Sequence, residues 1–103
     1  MEKFIQIKGG LHSVRGIYTA GVSCGIKKDK QDLAIIYSEK ESHAAGVFTT
    51  NIFRAAPVLI TQKHLQNSRA QAIVVNSGNA NACTGAMGLK NAREMAKITA
   101  KAL

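Results

Sequence analysis

Alternating apolar and polar positions predict strands in the first half of the chain. Phe4–Lys8 is a short alternating stretch before a pair of glycines, and Arg15–Lys27 is typical of one or two extended pieces interrupted by glycine. Asp32–Glu39 is rich in β-branched residues and bounded by charge, which makes it the clearest strand. Ala44–Asn51 follows it at hairpin distance. We therefore expect several strands in a largely antiparallel arrangement.

The middle of the chain predicts one more strand and a short helix. Ala55–Thr61 has the composition of a strand, with Pro57 at its start or at a sheet edge because proline cannot donate a hydrogen bond to a neighbouring strand. Thr61 is a suitable N-cap for a short helix that ends at Leu65 or Gln66.

The last third predicts a buried strand, a loop and a helix. Ala70–Ser77 contains four apolar residues in a row, Ala72–Val75, and from Leu89 onward apolar residues recur at helical spacing. That pattern continues to Leu103 without a Gly, Asn or Pro stop signal, which fits either a frayed last helix or the front piece of a longer fold. We expect an α/β fold of α+β layers, a mixed or antiparallel sheet with helices packed on one face, in which residues 1–103 form one domain or part of one.

Composition narrows the class of protein. With 103 residues, 46% of them hydrophobic, and no Trp, the core must be small and built from Ile, Val, Leu and Ala. Cys24 and Cys83 fit no metal-ligand spacing, so we expect no metal and no cofactor. No secretory signal and no apolar run long enough to span a bilayer occur, so we expect no membrane partner and a cytoplasmic location with reduced thiols.

The net charge of +8 raises the question of nucleic-acid binding. The basic residues are mostly spread singly, and the one dense cluster, Lys27, Lys28 and Lys30 around Asp29, falls in a predicted turn. No aromatic residues are interleaved with basic ones as in RNA-binding strands. We therefore expect a solvated basic turn and no nucleic-acid partner.

Candidate chemistry lies in the stretch "AIVVNSGNANACTGAMG", residues 72–88. A strand that runs through a glycine- and amide-rich loop into a helix has the layout of an anion site, because the first N–H groups of a helix lack internal partners. The stretch lacks the features of a phosphate loop or a dinucleotide fingerprint. An oxyanion hole needs only such a turn. The residues leave two alternatives open: a donor site with Thr84 as N-cap or hydroxyl donor, or a loop whose asparagines satisfy its own backbone.

Three segments closely resemble the N-terminal part of ornithine acetyltransferases, the bifunctional glutamate N-acetyltransferases of arginine biosynthesis. They are "AGVSCGIKKDKQDLAIIYSEK", "AAGVFTTNIFRAAPV" and "AIVVNSGNANACTGAMG", in the order of the family, and they cover most of residues 20–88. The opening "GG" followed by "VRGIYTAGV" is similar as well.

The resemblance implies a mechanism. Such enzymes are made as a precursor that cuts itself before a threonine, and the new N-terminal Thr of the β chain takes an acetyl group from N-acetylornithine and passes it to glutamate; some members also use acetyl-CoA. The Thr-Gly pair of the motif, here Thr84 and Gly85, would supply the oxyanion hole, and Asn76, Asn79 and Asn81 would hold the loop rigid.

The resemblance also implies partners. None of the threonines in this chain lies in the self-cleavage context of the family, so we expect the nucleophile in a β chain beyond Leu103, in an oligomer of α and β chains. The 103-residue chain would then be inactive alone and would expose apolar surface at its last helix and at one sheet edge. The alternative is a stand-alone, non-catalytic domain of the same fold that binds a small anion or a partner chain. His64 and the two cysteines are weaker candidates, since no motif ties them together.

Overall fold

The computed structural model describes residues 3–103, which form a three-stranded antiparallel sheet and two α-helices. The elements are β1 (Ile17–Val22), β2 (Leu33–His43), α1 (Ala56–His64), β3 (Arg69–Asn76) and α2 (Gly85–Ala102), with single 3-10 turns at Leu11–Ser13 and Leu65–Asn67. The strand order is β1-β2-β3, and both pairings are antiparallel. The predicted α+β class with an antiparallel sheet is confirmed.

The central strand, β2, is predicted well because its β-branched and aromatic residues, Ile35–Tyr37, favour a strand. Ile36 lies opposite Thr19 of β1 and Ile73 of β3, so one register connects all three strands. The pairing between β2 and β3 is interrupted between Tyr37 and Ser42, where the chain bulges. In the bulge, the hydroxyls of Ser38 and Ser42 lie 2.9 Å apart and each also donates to the carbonyl of Lys40.

Two predicted strands are absent from the sheet. Phe4–Lys8 and Ala44–Asn51 pair with no strand among residues 3–103. The Phe4 side chain is fully exposed, and the Ala44 N–H donates to the Ser68 carbonyl at 2.9 Å instead of entering a ladder. Alternating sequence alone is insufficient here because a strand also needs a neighbouring edge that faces it.

The predicted strand Ala55–Thr61 is wrong, since these residues lie in or at the start of helix α1. Pro57 occupies the first turn of α1, where its missing N–H costs nothing because the first N–H groups of a helix have no internal acceptor. Thr61 lies inside this helix and caps nothing, so the predicted short helix starting there is also wrong. A short apolar run is compatible with either a strand or a helix, and here the proline indicates the first turn of a helix.

The core is small and open. Only Ala56, Ile60 and Ala92 are buried apolar residues within the described range, with Leu89 packed against them. Ile73 and Val75 are 57% and 50% exposed on one face of the sheet, and Tyr18 is 57% exposed on the other. The Cα radius of gyration is 15.8 Å, whereas a compact domain of about 100 residues has about 13 Å. The described residues therefore leave much apolar surface uncovered.

Candidate functional site

The loop from β3 to α2 turns sharply at three consecutive residues. Cys83 has φ 54°, Thr84 has φ −104° and ψ 6°, and Gly85 has φ 65°. Such alternation between the left- and right-handed regions aims successive backbone N–H groups toward one side and creates an anion-binding concavity. The left-handed φ of Cys83 is not predicted by the sequence, because glycine or asparagine is the usual residue there.

The backbone donors of this turn are unused. Within residues 3–103, the N–H groups of Thr84, Gly85, Ala86 and Met87 make no hydrogen bond, and the first backbone donor engaged is Gly88, to the Thr84 carbonyl at 3.4 Å. The dipole of the 18-residue helix α2 adds positive partial charge at this end. A small anion or a developing oxyanion would be stabilised here without a cationic side chain.

The Thr84 hydroxyl does not cap helix α2, although Thr84 is the N-cap residue. The hydroxyl donates to Asn81 Oδ1 instead. At φ −104° and ψ 6° the residue lacks the extended conformation that lets an N-cap side chain reach back to the second or third helical N–H. The predicted N-cap position is therefore confirmed, whereas the cap hydrogen bond is absent.

The asparagines of the loop bind its backbone. Asn76 Nδ2 donates to the Asn79 carbonyl at 3.2 Å, and Asn81 Nδ2 donates to the Gly88 carbonyl at 2.8 Å. The Asn81 carbonyl accepts from the Ala56 N–H at 3.3 Å, which connects the loop to the start of α1. The Asn79 side chain makes no hydrogen bond in the described part of the chain. Of the three asparagines, Asn81 therefore has the most contacts with the Thr84 turn.

Gly88 allows this network to form. An added Cβ would lie 2.5 Å from Asn81 Oδ1 and 2.6 Å from Thr84 Cβ, closer than any real contact. Gly85 differs, because no atom of the described residues lies within 4 Å of its added Cβ and only its φ of 65° favours glycine. One glycine is therefore required by close approach and the other by backbone conformation.

A second cluster of N–H donors, absent from the sequence prediction, surrounds the carboxylate of Asp32. Asp32 is 3% exposed and accepts from the N–H groups of Cys24, Ile26 and Lys27 at 2.8, 2.8 and 2.9 Å. These hydrogen bonds hold the pKa of Asp32 well below its usual range. The signal in the sequence was a single acid at the start of a strand, directly after the turn Lys27–Lys30.

The Asp32 cluster abuts the loop that carries the turn. The Ser77 N–H donates to the Asp32 carbonyl at 2.9 Å, directly after β3 ends. Gly78, with φ 94°, approaches Ile26 and Lys27 so closely that an added Cβ would lie within 3.0 Å of both side chains. The loop is therefore fixed at both ends, by the Asp32 cluster at one end and by Asn81 at the other.

The remaining candidates form no site. Cys24 and Cys83 are free and exposed. His64 is exposed at the end of α1. Among residues 3–103 no three His, Cys, Asp or Glu side chains are grouped as metal ligands. Neither described helix combines the length and apolar character that a membrane span requires.

Comparison with known proteins decides the family. The model of the ArgJ family matches residues 18–103, which is most of the chain and includes both N–H clusters. The chain belongs to the ArgJ family. The arginine biosynthesis bifunctional protein ArgJ of Caldanaerobacter subterraneus subsp. tengcongensis is 47% identical over 97 residues, which are 94% of this chain and 24% of that protein.

Two solved structures have the same fold. A crystal structure of ArgJ from Bacillus halodurans superposes with a TM-score of 0.86 at 38% identity, over 90% of this chain and 49% of the crystallised one. The ornithine acetyltransferase of Mycobacterium tuberculosis, complexed with ornithine, gives a TM-score of 0.79 at 45% identity, over 84% and 46% of the two chains. This chain therefore spans about a quarter of the curated ArgJ relatives and about half of the crystallised ArgJ chains.

Proposed function

We propose that this chain is the N-terminal part of an ArgJ acetyltransferase that moves an acetyl group from N-acetylornithine to glutamate. Thr84 and Gly85 would donate hydrogen bonds to the oxyanion that develops as the acetyl carbonyl is attacked. The observation that carries the proposal is the set of unused N–H groups at the start of α2, which lie in the family's motif.

The proposed reaction passes through an acyl-enzyme. A threonine activated by its own terminal amine attacks the acetyl carbonyl, ornithine leaves, and glutamate then takes the acetyl group. That threonine would lie on a β chain produced by self-cleavage of a longer precursor. Some support comes from chain lengths: the same stretch is about half of the crystallised chain from B. halodurans but only about a quarter of the Caldanaerobacter protein.

Within this proposal the described residues supply donors and rigidity, not the nucleophile. The Gly85 N–H has no acceptor within residues 3–103, whereas the Thr84 hydroxyl has to turn from Asn81 toward the substrate to donate there. Asn76 and Asn81 would keep the turn in place through their backbone hydrogen bonds, with Asn79 accepting from Asn76. The partners would be the β chain and further copies of both chains, in the cytoplasm, and the chain alone would be inactive.

A chimera tests the proposal. Residues 1–103 replace the aligned first quarter of Caldanaerobacter ArgJ, and acetyl transfer from N-acetylornithine to glutamate is measured on the purified protein. The result expected is transfer at a rate close to that of the parent enzyme. A folded chimera without transfer would contradict the proposal and favour the alternative, a non-catalytic domain that binds an anion or a partner chain.

A further inference from the structure

An open groove of about 830 Å³ lies between β3 and the two helices, and Thr84 and Gly85 are not among its lining residues. Six consecutive residues of β3, from Arg69 to Val74, line it, together with α2 from Ala92 to Leu103. Its inner surface is mostly apolar and includes Ile60 and Leu65. At 1.5 Å per residue, the α2 side of the groove is about 17 Å long, which matches an extended segment of about five residues.

Strand β3 presents an open edge to this groove. It pairs with β2 on one side, and no strand among residues 3–103 pairs with it on the other. Natural proteins protect such edges with charges, prolines or bulges, and the stretch Ala70–Val75 has none of these on its outer side. The opposite edge, at β1, differs because the Gln31 side chain donates to the Gly21 carbonyl at 3.2 Å.

The rim of the groove is basic. His64, Arg69, Arg93 and Lys97 line it, and no Asp or Glu does so in the described part of the chain. Arg69 has only a long ion pair with Glu41, at 3.8 Å between exposed side chains. Arg93 and Lys97 have no ion pair within residues 3–103. A second copy of this chain would bring an identical basic rim and a net charge of +8 against the first, so self-pairing here is disfavoured.

We propose that an extended segment of the remaining ArgJ polypeptide pairs with the open edge of β3. Its apolar side chains would fill the groove, and its acidic side chains would face Arg93 and Lys97. Backbone hydrogen bonds would supply the affinity of this contact. The charge pairs would determine which residues of the two strands lie opposite each other. The inference rests on the proposed function in one respect, that the chain works together with the three quarters of ArgJ relatives that it does not span.

The test is amide hydrogen exchange on the chimera described above. In a paired strand, β3 amides that point away from β2 exchange as slowly as those of the central strand β2. If the edge is free, they exchange as fast as loop amides, and this result would overturn the inference. Protection of β3 that depends on protein concentration would also overturn it, because a second copy would then be the occupant.

Charge reversal provides the matched variants. Arg93→Glu with Lys97→Glu is expected to speed exchange of the outward β3 amides about tenfold or more, because like charges would face each other at the rim. Lys90→Glu with Lys101→Glu makes the same change of charge on the same helix but outside the groove lining, and is expected to leave exchange unchanged. Equal effects of the two pairs would overturn the inference.

The outcomes separate this inference from the proposed function. Acetyl transfer with an unprotected β3 edge would overturn the strand pairing alone. A protected edge in a folded chimera that transfers no acetyl would overturn the proposed function alone.

Discussion

Two clusters of backbone N–H groups stand out among residues 3–103, and they differ in what accepts from them. Around Asp32, three N–H groups donate to a buried carboxylate of the chain itself at 2.8 to 2.9 Å. At Thr84 and Gly85, the N–H groups have no acceptor within the described residues. The Ser77 N–H, which donates to the Asp32 carbonyl, connects the filled cluster to the loop that leads to the open one.

Under the proposed function, the difference separates a structural role from a binding role. A cluster filled by an internal carboxylate stabilises a turn and has no capacity for a ligand, because its donors are already satisfied. An exposed cluster at the start of a helix has N–H groups without an internal acceptor. Solvent can accept from such groups, and an anion or oxyanion can take its place. The two clusters share one physical principle, so substitutions that change one and not the other test the assignment of roles.

The largest expected effect is loss of catalysis from the open cluster. In the chimera, Thr84→Ala is expected to lower kcat by about 10² to 10³, the usual consequence of removing one oxyanion donor. Thr84→Ser keeps the hydroxyl and is expected to retain most of the activity. Single-turnover acetyl transfer from N-acetylornithine measures both, with circular dichroism as the control for folding. Parent-like turnover in Thr84→Ala would exclude the hydroxyl as a donor.

A substitution in the filled cluster is expected to change the stability of the turn and not the rate of acetyl transfer. Asp32→Asn exchanges a carboxylate for an amide whose NH₂ group opposes the N–H donors, so the amides of Cys24, Ile26 and Lys27 should exchange faster with solvent. The effect depends on pH. Because the pKa of folded Asp32 lies below its ordinary value of 3.8, its stabilisation is present above that value and is lost as the pH falls below it.

The measurement is amide exchange of the chimera and its Asp32→Asn variant at several pH values between 7 and 3. The difference between the two proteins should be full at neutral pH and shrink at the acidic end, because below the ordinary pKa of 3.8 the opened state takes up a proton on Asp32 that the folded state does not. A difference that stays constant over the whole range would show that the carboxylate's charge contributes nothing.

The open cluster was partly predictable from the sequence and the filled cluster was not. The sequence of residues 72–88 predicts a strand, a donor-rich loop and a helix in that order, because each of the three has a local pattern of composition and spacing. The Asp32 carboxylate, which accepts from the N–H groups of Cys24 and Lys27, lies five to eight residues further along the chain. Its approach to them depends on tertiary geometry, which has no local pattern in the sequence. The failed strand predictions have the same cause. Ala44–Asn51 follows β2 at hairpin distance along the chain, yet it pairs with no strand among residues 3–103.

The glycines of the open cluster allow a comparison of smaller effects. Gly88→Ala forces a Cβ against Asn81 and Thr84, and overpacking of this kind costs about 1 to 3 kcal/mol. Gly85→Ala introduces no steric clash, so it is expected to lower the stability only through the left-handed φ, by about 1 to 2 kcal/mol. Urea denaturation of the chimera measures both. A Gly88→Ala variant as stable as the parent would contradict the tight network that connects Asn81, Thr84 and Gly88.

The smallest expected effect concerns the Cys24 thiol. The Asp32 carboxylate, which accepts from the Cys24 N–H at 2.8 Å, raises the pKa of the Cys24 thiol, so less of the reactive thiolate is present near pH 8. Asp32→Asn removes the charge and is therefore expected to speed alkylation of Cys24. Mass spectrometry of the Cys24 peptide after timed exposure to iodoacetamide measures the rate.

Looser packing of the loop could speed alkylation as well, and Gln31→Ala controls for it. This variant removes the hydrogen bond from Gln31 to the Gly21 carbonyl beside the same loop but leaves the Asp32 carboxylate in place. If the charge governs the thiol, Cys24 in Gln31→Ala should react at the parent rate. Faster alkylation in Gln31→Ala, equal to that in Asp32→Asn, would assign the effect to access and contradict an electrostatic connection between the carboxylate and the thiol.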